Sequence, residues 1–384
     1  MSTDSTSGGI AILGAGIFAK EAHIPALAAL GSAAPPLLAV YSRSEKSARD
    51  LSSFAGSLLT LPSAPTVYYD TNGGLGALLT RKDITSVIVA LPITSQPDII
   101  LRVLAAGKHV LSEKPVAPSV AEGIELIQKY ERDFKGKGLI WRIAENYEAE
   151  PGYIRAAQIV RSGKIGAVVN WNCRVVNYID EDSKYYKTPW RTKPDYQGGF
   201  LLDGGVHSAA ALRTILPILP KSLSAYASLV KSYLEPHDTI HAIARSGKEG
   251  SKEAVLGIFE LSFAAPSASL GTSNGITITD TQGYLFISIA KSKEPEATNC
   301  LRTRVVVRKK GSDDVKQDVE EVFEDTMQGV EAELKAFFEV VRGEEGSIKG
   351  IGEPRAALWD VAFIQAGLTS GGQSIDLDKL VDGE

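Results

Sequence analysis

GIAILGAGIFAKEAHIPAL, residues 9–27, decides the fold. GIAIL is apolar without alternation, the pattern of a strand covered on both faces, as in a parallel sheet flanked by helices. The run breaks at Gly14-Ala15-Gly16 and then continues into a segment suited to start a helix. Gly14 suits the tight turn, Gly16 lets a pyrophosphate approach the backbone, and Ala19 is small enough for the helix to lie close on the strand. Free amides and the positive end of the helix dipole supply an anion site. Ile17 and Phe18 belong to the same turn, so Gly14, Gly16, Ile17 and Phe18 are the first candidates for contact with a dinucleotide. GxGxxA alone is a common turn; its place directly after the first strand is what points to a cofactor.

Working outward, PLLAVYSRS (36–44) reads as the next strand and TSVIVALPITSQPD (85–98) as a third. The helix-like IILRVLAAGK (99–108) and the strand-like HVLSEKP (109–115) follow. Buried strands alternating with amphipathic helices predict a mostly parallel, doubly wound sheet. Leu91 and Pro92 then stand at a strand's carboxyl end, where such sheets bind ligands. A carboxylate after the second strand commonly holds an adenosine ribose, but this chain presents Ser42, Arg43 and Ser44. Hydroxyl and guanidinium groups suit an additional ribose phosphate, so NADP(H) is preferred and NAD(H) remains possible. His23 and His109 are assigned to packing or capping, since no paired acid or local nucleophile is evident for either.

The 384 residues are enough for two domains, and 44% hydrophobic with 23% charged residues is an ordinary globular balance. A net charge of −5 offers no general attraction to nucleic acid or to an anionic membrane. The only cysteines, Cys173 and Cys300, form no disulfide framework and no CxxC pattern. The amino end lacks an apolar secretory segment, and no run is long enough for a membrane helix, so a cytoplasmic location is expected.

Three segments taken in order, GAGIFAKEAHIPAL (14–27), AAGKHVLSEKP (105–115) and GGFLLDGGVH (198–207), resemble the glucose-fructose oxidoreductase and inositol dehydrogenase family, Gfo/Idh/MocA. The resemblance runs nearly the length of the chain. It implies an α/β protein with an amino-terminal Rossmann domain, residues 1–145, and a carboxyl-terminal α/β domain with a mainly antiparallel sheet, residues 146–384, whose late helix packs back near the first domain. It also implies an NAD- or NADP-dependent oxidoreductase acting on a sugar, polyol or other small carbonyl compound. Glu113-Lys114-Pro115 matches the family's EKP, which implies that Glu113 and Lys114 contact the cofactor, and Lys114 looks like the family's catalytic lysine. An ammonium can donate to an alkoxide that develops during carbonyl reduction. Asp203 and His207 match the family's DxxxH. On a helix this spacing puts both on one face, His207 to relay a proton or orient the substrate oxygen and Asp203 to bind substrate or set the imidazole's surroundings.

ENYEAEPGY (145–153) places Asn146 and Tyr147 where related enzymes contact cofactor or substrate, although either residue would equally stabilise the domain junction. In YYKTPWRTKPDYQGGF (185–200), Trp190 offers an apolar wall and Arg191 a hydrogen-bonding fork on a loop at the site's mouth, with a loop anchor and a surface charge as the plain alternative. Several later runs alternate as antiparallel strands do, leaving one face for helices and one for contact with a second copy, in a homodimer or larger homo-oligomer. His237, Asp238 and His241 fall on a strand-like stretch, so no metal site is assigned. The acidic KKGSDDVKQDVEEVFED (309–325) reads as a turn and a solvated region. Two other readings are weighed, a nonenzymatic NADP(H) or sugar sensor and a glycosidase with tightly bound NAD.

Overall fold

A computed structural model of the protein describes residues 8–247, 254–268, 273–293, 298–310 and 316–384. The chain divides into two units, Met1–Asn146 with Gly329–Ala357, and Tyr147–Gln328 with Leu358–Glu384. The second domain is expected over 146–384 with a late helix packing back near the first; in the structure Gly329–Ala357 belongs to the first unit. The reason is apolar: Leu334, Phe337 and Phe338 of the helix Gly329–Val341 are buried in one core with Ile10, Ile12, Val40, Leu51, Ile88 and Leu111.

The first unit holds six parallel strands: β1 (Gly9–Leu13), β2 (Leu37–Tyr41), β3 (Thr66–Tyr68), β4 (Ile84–Val89), β5 (His109–Glu113) and β6 (Trp141–Ala144). Their order is β3-β2-β1-β4-β5-β6. All five residues of β1 are buried, as a central strand between helical layers requires. The order reverses between β1 and β4, so the carboxyl ends of these two neighbours flank the sheet's switch point.

Local sequence shapes the turn after β1. Ala19–His23 is a π-helical turn in which the amide of Ile24 bonds back to Ala19, and Pro25 follows inside the helix Ile24–Leu30. Proline lacks an amide and its ring crowds the preceding turn, and the wider π turn accommodates it.

The second unit is built on one nine-stranded sheet. Its strands are β7 (Val168–Val176), β8 (Pro220–Ser228), β9 (Thr239–Ser246), β10 (Val255–Ser262), β11 (Gly275–Asp280), β12 (Gly283–Lys291), β13 (Asn299–Lys310), β14 (Lys316–Thr326) and β15 (Ile375–Asp376). The order is β14-β13-β12-β11-β7-β10-β9-β8-β15, and every pair but β7–β10 is antiparallel. The residues read as a solvated acidic region include the edge strand β14, which that reading did not assign, and its acids Asp318 and Glu320 are exposed there. Its acids answer arginines of β13 across the ladder, Glu324 to Arg302 at 2.9 Å, Glu320 to Arg304 at 2.8 Å and Asp318 to Arg308 at 3.2 Å. The turn of that stretch, 311–315, lies outside the described residues.

One face of this sheet receives helices: Phe259 of β10 meets Phe363 of the helix Pro354–Thr369 edge-on at 5.0 Å. On the other face Tyr226, Ile243, Leu256 and Ile258 are each more than half exposed. Asp238, the acid of the trio weighed for a metal, is spent on its own loop, accepting from the amides of Val230 and Lys231 and the hydroxyl of Thr239. Cys173 and Cys300 are buried free thiols, and burial pushes Cys173 up to about 12. Among the described residues no helix is long and apolar enough to cross a membrane.

Candidate active site

The first unit gathers its candidates along the carboxyl edge of one sheet: Gly14 to Phe18 after β1, Ser42 and Arg43 after β2, Leu91 and Pro92 after β4, Glu113 and Lys114 at the end of β5, and Asn146 after β6. Gly14 has φ +108°, and a Cβ there would stand 2.0 Å from the carbonyl oxygen of Ala90 and 3.3 Å from Leu91. Glycine is thus required on two counts, backbone conformation and close approach to β4. A Cβ on Gly16 would meet nothing within 4 Å, so this side of the turn faces open space, as a cradle for a phosphate group does. Ala19 is fully buried, in keeping with its assigned packing role.

Arg43 is exposed at the end of β2. The nearby acid, Asp70, has its carboxylate engaged by the Tyr41 hydroxyl at 2.6 Å, while its amide bonds the carbonyl of Arg43. Burial and that carboxylate push the Tyr41 phenol up to about 12, so it stays a donor at neutral pH. Among the described residues the Arg43 cation has no ion pair.

Beside Lys114, the structure supplies what sequence reading missed. Nε2 of the fully buried His23 lies 2.7 Å from Oε1 of Glu113. His23 does have a paired acid, and the statement that it has none is corrected; the partner is 90 residues away in the chain and invisible to local spacing. Phe18 meets the imidazole edge-on at 5.2 Å, so one ring touches both the glycine turn and the EKP strand. Glu113, assigned to the cofactor, is committed to this buried pair. His109 keeps a capping role, its Nδ1 accepting from the amide of Ile140 at 3.1 Å, and burial pushes it down.

In the second unit the segment FLLDGGVHSAAALRTI is the helix Phe200–Ile215. Asp203 lies in its first turn, where a carboxylate complements the helix dipole, and His207 follows one turn later on the same face. Gly204 and Gly205 explain how the helix sits so close to its neighbours. Added Cβ atoms would meet Phe263 at 2.6 Å and Leu261 at 2.6 Å. Two interior glycines cost about 1 kcal/mol each in helix propensity, which the tight packing must offset.

Arg191 is not a surface charge. Its Nε donates to Oδ2 of Asp203 at 2.7 Å, with 15% and 8% of the two side chains exposed. Its guanidinium also stacks 4.0 Å over the ring of Trp190. Trp190, Arg191 and Asp203 are therefore one cluster, and Tyr196, a residue the sequence reading passed over, joins it with its ring 6.0 Å from Trp190. Burial and the charge of Asp203 push the Tyr196 phenol well up. Tyr147 stacks on His207, ring centroids 4.7 Å apart and planes 26° from parallel. The sequence contained the aromatic residues, but only the fold selects which of them meet.

Comparison with known proteins agrees with this architecture. The model for the oxidoreductase family GFO_IDH_MocA, NAD-binding Rossmann fold, matches residues 9–135, and that for the GFO/IDH/MocA C-terminal domain matches residues 153–286. Dehydrogenase FPY6 of Fusarium mangiferae is 34% identical over 94% of this chain and 96% of its own length. An oxidoreductase of Thermotoga maritima superposes with a TM-score of 0.78 at 29% identity, covering 97% of this chain and 99% of its own. KijD10, a 3-ketoreductase of Actinomadura kijaniata in complex with TDP-benzene and NADP, shares the fold at a TM-score of 0.70 and 20% identity over 94% of this chain and 96% of its own.

Proposed function

Because the chain belongs to the GFO_IDH_MocA oxidoreductase family with its NAD-binding Rossmann fold, we propose that it is an NADP(H)-dependent enzyme that interconverts a carbonyl and a hydroxyl group on a sugar, polyol or other small substrate. The observation that carries this reading is the shared sheet edge, where a glycine turn open at Gly16 and the lysine of EKP stand on one rigid scaffold. The turn's geometry suits the cofactor's pyrophosphate. Bound nicotinamide would supply or accept the hydride.

The chain's own residues handle everything else. In the reduction direction the Lys114 Nζ donates to the substrate oxygen as negative charge develops there and passes it a proton. His207 orients the same oxygen or exchanges its proton with solvent, and Asp203, steadied by Arg191, fixes the substrate beside it. Trp190 and Arg191 wall the substrate and the cofactor's reactive end. Ser42 and Arg43 hold the additional ribose phosphate, Leu91 and Pro92 line the crevice, and Asn146 contacts the cofactor's carboxamide. We place the enzyme in the cytoplasm, where buried free thiols persist. The reading also includes a homo-oligomer joined through the exposed apolar face of the nine-stranded sheet.

Fluorescence titration with NADPH and NADH tests the cofactor assignment. NADPH should bind about 10- to 100-fold more tightly, the worth of charge-assisted hydrogen bonds to one phosphate, and Arg43→Ala should remove most of that margin. Equal affinities in the unmodified protein contradict it. Binding without turnover across aldehydes, ketoses and polyols in both directions would favour the sensor instead.

A further inference from the structure

His207 has one neighbour, Tyr147, with no part in the assigned chemistry. Tyr147, stacked flat on its imidazole, is backed by Tyr153 with ring centroids 5.5 Å apart. The next residue, Glu148, accepts from Nη1 of Arg213 at 2.7 Å, and Arg213 also clasps Asp360 through Nε at 2.9 Å and Nη2 at 2.8 Å. No more than 11% of any of these three side chains is exposed. Arg213 lies on the helix Phe200–Ile215 that carries His207, and Asp360 on the helix Pro354–Thr369.

Burying two acids and a guanidinium is a poor way to gain stability, because desolvation consumes most of the Coulomb attraction and apolar side chains of like volume serve as well. What such a network does supply is direction. The planar fork of Arg213 fixes the turn at Glu148 to the helix at a set distance and angle, and the adjacent Tyr147 ring is thereby laid against the imidazole.

We propose that Glu148, Arg213 and Asp360 form a positioning device for the reaction, holding Tyr147 against His207 so that the imidazole keeps one orientation toward the substrate oxygen. Tyr147 acts through His207 and is a positioning residue. The proposal rests on the reading that His207 acts in catalysis.

The test is steady-state kinetics with NADPH and an accepted carbonyl substrate on the full chain, with folding checked by circular dichroism. Glu148→Ala removes the bond from Arg213 to the turn and leaves both bonds between Arg213 and Asp360 in place. It and Tyr147→Leu should each lower kcat about tenfold, as a small displacement of a reacting group does, with KM for NADPH unchanged. Tyr147→Phe, which keeps the ring, should recover most of the loss. In a His207→Asn background Tyr147→Leu should add little further loss, since the partner it orients is gone. Multiplying losses in that double variant, or wild-type kcat in both Glu148→Ala and Tyr147→Leu, overturns the proposal. Wild-type kcat in His207→Asn alone is a separate result, which overturns the catalytic reading of His207 beneath it.

Discussion

Asp203 and Asp280 are both buried carboxylates of the second unit, and they differ in what faces them. Arg191 meets Asp203 at 2.7 Å, whereas neither oxygen of Asp280 has a hydrogen-bond partner among the described residues. Arg191→Ala should therefore remove the ion pair that faces the Asp203 charge and lower stability by roughly 2–3 kcal/mol, less than the fully buried case because the pair is partly solvated. Urea unfolding measures this, and a change under 0.5 kcal/mol would remove Arg191 from its structural role. At Asp280 burial pushes the carboxyl up to about 6, from an ordinary value of 3.8. A raised acid costs nothing below the unfolded value, where it is protonated in both states. The cost grows as pH rises and is complete once the folded protein must also ionise, above about pH 6. Asp280→Asn should accordingly stabilise the protein by roughly 1–3 kcal/mol at pH 8, and the gain should vanish near pH 4. An equal gain at both pH values contradicts this account.

At the scale of elements, β1 and its glycine turn were legible because strand, turn and helix are adjacent in the chain and each demands its own residue types. The pairing of His23 with Glu113 was not, since it depends on how β5 lies relative to the π turn after β1. His23→Leu leaves the buried Glu113 without that donor and should cost roughly 1–3 kcal/mol. His23→Gln, whose amide nitrogen reaches nearly as far as Nε2, should recover part of it, and equal thermal midpoints for the two variants would show that the pair contributes nothing. β14 teaches a second lesson. Its acids Glu320 and Glu324 are solvated, as an edge strand's open face allows, and the alternate arginines of RTRVVVR in β13 were the sign that they also form a complementary ladder.

For the whole molecule, the family resemblance implied two domains and a late helix packing back near the first, but not that Gly329–Ala357 as a whole belongs to the first unit. That return is decided by Leu334, Phe337 and Phe338 filling a core begun more than 300 residues earlier, which no local pattern encodes. The exposed sheet face was legible as alternation, and its row of Ile243 beside Ile258 is set by the pairing of β9 with β10. If that face joins copies, Ile258→Glu should shift the protein to a smaller species by light scattering while its circular dichroism is unchanged; an unaltered mass would exclude the face as the interface.

The account as a whole depends on Lys114 meeting a substrate oxygen. The most direct measurement compares turnover and NADPH affinity of Lys114→Met with those of the unmodified protein. Loss of a proton donor to the developing alkoxide should lower kcat by about 100-fold or more, with NADPH affinity changed no more than a few-fold. Normal turnover by a folded, NADPH-binding Lys114→Met protein would contradict it.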